Sequence, residues 1–181
     1  MKQEANYPPY VRNAIRTPDG AVIYSRHRHD YQTHVDANGK EYMVDGGLDY
    51  LRRSVHPDAP YEELAVASDQ PFEIVREALE WGTRGVHGDQ PVKYVKMSDL
   101  HSDHIYSILD HIRIGVKVKK PRHASESMNM KNDLREASGL SNEDEFIVVE
   151  HPSKWLIPFM EEELAYRKRM DTLYQERENY S

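Results

Sequence analysis

The densest polar cluster in the sequence spans nine residues and combines guanidinium, imidazole and carboxylate groups: Arg26, His27, Arg28, His29, Asp30 and His34. Imidazole nitrogen and carboxylate oxygen are ligands for zinc and manganese. One hypothesis is therefore a metal site with His27, His29, Asp30 and His34 as candidate ligands and Asp45 as an alternative to His34. If the segment is a strand, Arg26, Arg28 and Asp30 face one side and the two histidines face the other.

The arginines of the same cluster support a second hypothesis, an anion site. Guanidinium groups hold phosphate through forked hydrogen bonds. Arg26 and Arg28 would then bind phosphate, while Asp45 or Asp49 accepts a hydrogen bond from a ribose or a base. Arg52 and Arg84 complete the set of candidate ligand-binding residues. A structural alternative stays open, in which Asp30 and Asp45 cap turns and pair with Arg52 or Arg53.

Arg84 lies in a glycine-rich segment, residues 82–88, which is a third candidate. Its three glycines would let backbone amides approach a phosphate. A P-loop or a dinucleotide-binding loop has a strand before it and a helix after it, whereas here a helix is predicted before the loop and a strand after it. A plain crossover between the two elements is the favoured interpretation.

Other chemistry-bearing residues give weaker signals. His104 and His111 share one helical face with seven-residue spacing, but the His-Glu-x-x-His spacing of a metalloprotease is absent. A solvated helix face explains them more simply. Tyr31, Trp81 and Tyr94 are candidates to stack on a base, although Trp81 and Trp155 sit beside apolar neighbours and are more typical of a core.

The elements that would position these residues begin with a predicted antiparallel meander. Short alternating or β-rich runs cover residues 21–24, 30–35 and 40–44. Asn38-Gly39 is a hairpin signal, and Gly46-Gly47 indicates a backbone position that side chains do not tolerate. Before this meander, the paired prolines within residues 1–10 predict an extended arm.

After the meander the apolar spacing changes from two to 3.6 residues. We expect a short helix over 58–65 and a second one that begins near Pro71 and stops at Gly82. A strand is predicted at 92–96 and a further strand at 146–149. A helix from Ser102 would bury Ile105, Ile108, Leu109 and Ile112. Pro158 opens a long terminal helix with apolar positions at Phe159, Leu164, Met170 and Leu173.

These elements predict an α+β fold in which a small N-terminal antiparallel β meander packs with helices and a long C-terminal helix. We divide the chain into an arm and meander at 1–57 and a part at 58–112 with helices, the glycine-rich loop and a strand. A mobile insertion at 113–142 and a strand and helix at 143–181 follow.

Composition excludes several classes of function. The chain has 181 residues and no cysteine, so it cannot form disulfides, iron–sulfur clusters or cysteine-based zinc sites. Its formal charge of −7 argues against general binding of duplex DNA. No apolar run approaches the roughly 20 residues of a membrane-spanning helix, and the polar first residues predict no signal peptide. We therefore expect a cytoplasmic protein, in the host cell if a phage encodes it.

Part of the sequence resembles a family of small phage and bacterial proteins of unknown role. The resemblance rests on Arg12-Asn13-Ala14-Ile15-Arg16, on His29-Asp30-Tyr31 and on residues 44–53, which read VDGGLDYLRR. Members of that family carry two cysteine pairs that resemble a zinc ribbon. Here residues 17–20 and 34–39 stand at those places, so the resemblance implies ordinary tight turns and a fold that needs no metal.

A second segment is similar to a module of phage proteins of unknown role. It begins with Glu80-Trp81-Gly82-Thr83-Arg84-Gly85, continues through Gln90-Pro91-Val92-Lys93-Tyr94 and ends at His104-Ile105. The module often closes with an acidic helix such as residues 161–167. Both resemblances imply a phage accessory protein, and neither supplies a mechanism.

We therefore predict a non-enzymatic phage accessory protein without a cofactor that binds a host protein or a small nucleotide. Such a protein would act as a counter-defence inhibitor or a sequestering protein. One alternative is a His/Asp metal-dependent hydrolase acting on a nucleotide or phosphoester, with His27, His29 and Asp30 as its first ligands. Another is a virion or scaffold component. A homo-oligomer is compatible with each of these hypotheses.

Overall fold

The computed structural model of the chain describes residues 7–55, 58–85, 87–119 and 146–179. It confirms an α+β fold with short antiparallel strands in the N-terminal part and a long C-terminal helix. The strands are β1 (Tyr10–Arg12), β2 (Ala14–Arg16), β3 (Val22–Tyr24), β4 (Gln32–Val35), β5 (Glu41–Asp45), β6 (Arg52–Val55), β7 (Glu62–Glu63), β8 (Val66–Ala67), β9 (Glu80–Thr83), β10 (Lys93–Lys96), β11 (Val116–Lys119) and β12 (Phe146–Val149). The α-helices are α1 (Phe72–Ala78), α2 (Ser102–Ile114) and α3 (Ile157–Asn179), and 3₁₀ turns span Met97–Asp99 and Lys154–Leu156.

Six of the first eight strands form two separate three-stranded sheets, and β1 pairs with β8. All three predicted strands exist, but β3 pairs with β2, which also pairs with β7, while β4, β5 and β6 form the meander. The prediction that the strands at 21–24, 30–35 and 40–44 form one meander is therefore wrong. β2 and β6 are short and carry charged residues, so their local patterns are weak strand signals, yet β2 contributes the fully buried Ile15. Ile15 packs with Tyr42 and Val44 of β5 in a small core of its own.

The predicted helix over 58–65 is also wrong. Glu62 and Glu63 form β7 opposite Arg16 and Ile15 of β2, and their carboxylates pair with Arg16 and Arg53. Pairing with a distant strand overrides the local helical spacing, which is a weak determinant over so short a segment.

The helices enclose the larger core. α2 buries the four predicted residues, Ile105, Ile108, Leu109 and Ile112. They pack with Val75 of α1 and with Leu156, Phe159 and Met160 around the start of α3. The predicted apolar face of α3 ends earlier than expected, because Met170 and Leu173 are 47% and 53% exposed. Among the described residues, no helix combines the length and the hydropathy needed to cross a bilayer.

The segment after α1 departs from prediction at Gly82. The helix ends at Ala78, and Gly82 lies in strand β9 directly opposite Tyr94 of β10. A Cβ at Gly82 would lie 3.3 Å from the Tyr94 ring. The glycine therefore allows close packing across the hairpin and does not stop the helix.

The predicted insertion at 113–142 lies mostly outside the described residues. Arg113 and Ile114 end α2, and β11 then pairs with β12 from Val116 opposite Val149 to Lys119 opposite Phe146. The strand predicted at 146–149 is confirmed. In the expected arm, the ring of Tyr7 packs edge-on against Phe159 of α3, at a centroid distance of 5.1 Å.

A buried carboxylate joins the helical elements. Glu163 of α3 is fully buried and accepts hydrogen bonds of 2.7 Å from both Nε and Nη2 of Arg76 in α1. Arg167 donates a third, of 2.8 Å, and also donates to the carbonyl oxygens of Met97, Ser98 and Leu100. Burial alone would raise the pKa of Glu163, but the hydrogen bonds from the two arginines hold that pKa below its ordinary value.

Glu163→Gln tests this network. Removing the charge leaves two guanidinium groups without their shared partner, so we expect the free energy of unfolding to fall by about 3 kcal/mol. Glu162→Gln is the matched control, because Glu162 is an exposed neighbour paired with Arg169 and its loss should cost about 1 kcal/mol or less. Guanidinium denaturation followed by circular dichroism measures both. Equal losses in the two variants would contradict the role given to Glu163.

Candidate functional site

The segment Arg26 to Asp30 is a tight turn. The Asp30 amide donates to the His27 carbonyl at 2.8 Å, and the Asp30 carboxylate accepts from the Arg26 amide at 2.8 Å. The predicted alternation of side chains along a strand is therefore wrong here. The reason is that a carboxylate four residues ahead satisfies the backbone locally. The capping role of Asp30 in the structural alternative is confirmed.

Arg26 is held in place by aromatic rings. Its guanidinium carbon lies 4.0 Å from the ring centres of both Tyr24 and Tyr94, and Nη2 donates to Glu80 Oε2 at 3.0 Å. Nε of Arg26 is buried and has no hydrogen-bond partner among the described residues. Burial, followed by the charge of Glu80, raises the pKa of Tyr24 to about 12. The phenol therefore stays protonated beside this ion pair.

Arg28 points into solvent from the same turn. Its side chain is 68% exposed, and its Nε lies 3.8 Å from Asp49 Oδ2. The turn rests on Gly47, whose backbone conformation has a φ of +56°. Asn13 fixes that second turn, because its Nδ2 donates to the carbonyl oxygens of Asp45, Gly47 and Tyr50.

These turns form one wall of a cleft of about 1310 Å³. The opposite wall is the segment that leads into α3, with His151, Lys154 and Trp155 as its polar and aromatic members. Tyr7 and Pro8 line the cleft as well. Segments from both ends of the chain thus meet at the predicted arginine cluster. The cleft is lined by three basic side chains, Arg26, Arg28 and Lys154, and by two acidic ones, Asp49 and Glu150.

A smaller pocket of about 410 Å³ adjoins this cleft. It shares Arg26, Leu48, Pro152 and Trp155 with the larger one. Its remaining walls include the rings of Tyr24, Trp81 and Tyr94 and the carboxylate of Glu80. We call the larger space the outer cleft and the smaller one the inner pocket. Of the aromatic residues predicted to stack on a base, Trp81 and Tyr94 lie here, whereas Tyr31 lines a different pocket beside β5 and β6.

The candidate metal ligands are not brought together by the turn. His34 Nε2 lies 2.9 Å from Asp19 Oδ2, and Asp30 is engaged by the Arg26 amide and by Gln32. His27 lines the outer cleft and His29 is an exposed turn residue. Within residues 7–55, 58–85, 87–119 and 146–179, no three histidine, aspartate or glutamate side chains form a group suited to a metal ion.

The other sequence candidates lie outside both spaces. Asp45 caps Gly46 with a hydrogen bond of 2.7 Å to its amide, and Arg52 lies 3.6 Å from the Asp45 carboxylate. This is the contact that the structural alternative expects. Arg84 is exposed after β9, where its carbonyl accepts from the Gln90 amide. It does not line the outer cleft or the inner pocket.

Several residues of the site are absent from the predicted ligand-binding set. His151, Lys154 and Glu80 lie far in sequence from the arginine cluster, and the apolar neighbours of Trp155 favour a place in the core. The ring of His151 also packs edge-on against that of His111 in α2, with the ring centres 5.1 Å apart. Burial and the charge of His111 lower the pKa of His151. The basic and aromatic run Lys154-Trp155 beside two prolines is the available signal, but only the fold shows that it faces the arginines.

No protein-family model matches the sequence, and no curated protein or solved structure is significantly similar to it. The chemistry of the site is therefore the main guide to function.

Gly47 and Gly39 provide a matched test of how the arginine turn is supported. Both have a positive φ, but a Cβ on Gly47 would lie 2.3 Å from the His27 carbonyl carbon, while one on Gly39 would meet nothing within 4 Å. We expect Gly39→Ala to lower the free energy of unfolding by about 1 kcal/mol and Gly47→Ala by about 3 kcal/mol. Urea denaturation measures the difference, and equal effects would contradict the close contact.

Asp19 provides a pH test of its hydrogen bonds with Thr17 and His34. Hydrogen bonds from Thr17 and His34 lower the pKa of Asp19 from 3.8 to about 2. A carboxyl group whose pKa is lower in the folded than in the unfolded chain stabilises the fold at pH values above its unfolded pKa. This stabilisation is lost as the pH falls through the folded pKa. Asp19→Asn should therefore weaken the fall of the urea midpoint between about pH 4 and pH 2. Asp171→Asn, at an exposed position of α3, is the matched control.

Proposed function

We propose that this protein binds and sequesters a small nucleotide in the outer cleft, without transforming it. The observation that supports the proposal is the meeting of Arg26, Arg28 and Lys154 around one space that also contains the rings of Tyr7 and Trp155. Phosphate is recognised by guanidinium and ammonium groups, and aromatic rings favour a base.

The ion pairs in the cleft do not oppose this function. Arg28 and Asp49 are 68% and 51% exposed and 3.8 Å apart, and Lys154 pairs with Glu150, four residues earlier, at an exposed site. Exposed pairs of this kind stabilise a protein by only about 0–1 kcal/mol. A phosphate that approaches Arg28 or Lys154 therefore displaces weak partners. Asp49 is then placed to accept a hydrogen bond from a ribose hydroxyl.

The location of the basic groups matters because the chain as a whole carries a formal charge of −7. Long-range attraction does not bring an anion to such a protein, and exposed charges farther apart than about 8–10 Å are screened at ordinary salt concentrations. Binding depends on direct contacts inside the cleft. This favours a compact ligand with several phosphate oxygens over an extended nucleic acid.

The biological role in this proposal follows from the resemblance to phage proteins. A phage accessory protein that removes a signalling nucleotide would act in the cytoplasm of the host and blunt a defence response. A metal-dependent hydrolase and a virion component are the alternative functions, and no contact among the described residues favours either. A host protein as the partner is an outcome of the experiment below.

Calorimetric titration with linear and cyclic nucleotides tests the proposal. We expect wild-type binding, and we expect Arg28→Ala and Lys154→Ala each to weaken it by about tenfold or more, since each removes a charge-assisted hydrogen bond to phosphate. Arg52→Ala is the control, because Arg52 is equally exposed but lies outside the cleft. Its affinity should stay within about twofold of the wild type.

Thermal melts of the same variants separate binding from folding. Both cleft variants should melt near the wild type, because neither side chain is buried. Absence of binding by the wild type at about 1 mM of every nucleotide, which corresponds to a binding free energy weaker than about −4 kcal/mol, would overturn the proposal. A host protein would then become the leading partner.

A further inference from the structure

The inner pocket has features that the outer cleft does not need for binding phosphate. It is lined by the rings of Tyr24, Trp81, Tyr94 and Trp155, with the Arg26–Glu80 ion pair among them. Its volume of about 410 Å³ lies within the range of roughly 300–1,000 Å³ that small-ligand sites occupy. Aromatic walls around a few fixed polar groups are typical of a site that recognises a flat, partly polar ring.

The polar groups of the inner pocket form a fixed donor and acceptor pair. Glu80 Oε2 accepts from Arg26 Nη2 at 3.0 Å, and the guanidinium is held between two tyrosine rings at 4.0 Å. Nε of Arg26 is a buried donor without a partner among the described residues. That atom is out of reach of a ligand, but the Arg26 side chain as a whole is 32% exposed, so its terminal N–H groups can donate to a ligand in the pocket.

Resting on the proposed function, we infer that the inner pocket takes the base of the bound nucleotide and that this base is a purine. Its phosphate lies in the outer cleft beside Arg28 and Lys154. The purine stacks on Trp81 and Trp155, Arg26 donates to a ring or carbonyl acceptor, and Glu80 accepts from a neighbouring N–H. The residues common to both spaces, among them Arg26 and Trp155, mark the passage between base and phosphate.

The preference for a base with two rings follows from stacking. Base stacking on an aromatic side chain stabilises a complex in proportion to the overlapping ring surface. A purine offers more of this surface to the two tryptophans than a pyrimidine does. Purines and pyrimidines alike carry an acceptor beside a donor on one edge, which Arg26 and Glu80 complement, so the preference for a purine rests on stacking alone.

Tryptophan fluorescence tests the inference directly, because the protein has only two tryptophans and both line the inner pocket. Trp155 also lines the outer cleft, whereas Trp81 lines the inner pocket and not the outer cleft. In Trp155→Phe, Trp81 is the sole tryptophan fluorophore. We expect GMP and AMP to quench it with the dissociation constant that calorimetry gives for the same variant. In Trp81→Phe, they should quench Trp155 as well.

Base-free and pyrimidine ligands provide the matched comparisons. We expect ribose 5-phosphate to bind about tenfold more weakly than GMP or AMP and to leave Trp81 unquenched, since it cannot stack. UMP should bind more weakly than the purines. Glu80→Gln should lower the affinity for GMP and AMP about tenfold, and by more than it lowers the affinity for pyrophosphate, because Glu80 contacts the base and acts on the phosphate only through Arg26. The titration with pyrophosphate shows whether the outer cleft is intact.

The outcomes separate this inference from the proposed function. Quenching of Trp155 without quenching of Trp81 would place the base in the outer cleft and overturn the inference, while nucleotide binding would stand. Equal affinity for ribose 5-phosphate and GMP, or for UMP and GMP, would also overturn it. If calorimetry detects no nucleotide or pyrophosphate binding, the proposed function fails and the inference fails with it.

Discussion

The buried carboxylate of Glu163 is the interaction on which the helical half of the molecule depends. It is fully buried on α3 and receives hydrogen bonds from Arg76 of α1 and from Arg167 one turn further along. Arg167 in turn binds the carbonyl oxygens that precede α2. One charged group thereby fixes α1, the start of α2 and α3 relative to one another. It also sets the direction of α3, whose first turn follows Trp155.

Asn13 plays the corresponding part in the β half. Its amide nitrogen donates to three carbonyl oxygens, of Asp45, Gly47 and Tyr50, and its Oδ1 accepts from Arg53 at 2.7 Å. A buried amide with this many partners tolerates little displacement. The turn at Gly47 is therefore fixed, and so is the arginine turn that packs on it. The cleft forms where the parts organised by Glu163 and by Asn13 face each other.

Local patterns predict those parts of the fold that depend on neighbours in sequence. The buried face of α2, the strand at 146–149 and the special backbone at Gly46-Gly47 follow from spacing and residue type. The helix expected over 58–65 does not form because Glu62 and Glu63 pair with β2 as strand β7. Contacts between segments that are distant in sequence decide such cases, and these contacts cannot be inferred from a single sequence. The arginine cluster is recognisable in the sequence, but Glu80 and Lys154 join it only through packing.

Arg26 and Arg28 show how one short turn presents two arginines with different freedom of movement, both of which contact the ligand in the proposed complex. Arg26 is immobilised between Tyr24 and Tyr94 and paired with Glu80, so its conformational entropy is lost on folding and not on binding. Arg28 is largely exposed and must be ordered by the ligand, which costs about 0.5–1.5 kcal/mol for a flexible side chain. The fixed Arg26 can bind a ligand group only in one position, whereas the exposed Arg28 can change its conformation to reach the ligand. In the proposed complex, selectivity would therefore come from the fixed Arg26–Glu80 pair in the inner pocket, and the exposed Arg28 would add affinity for phosphate.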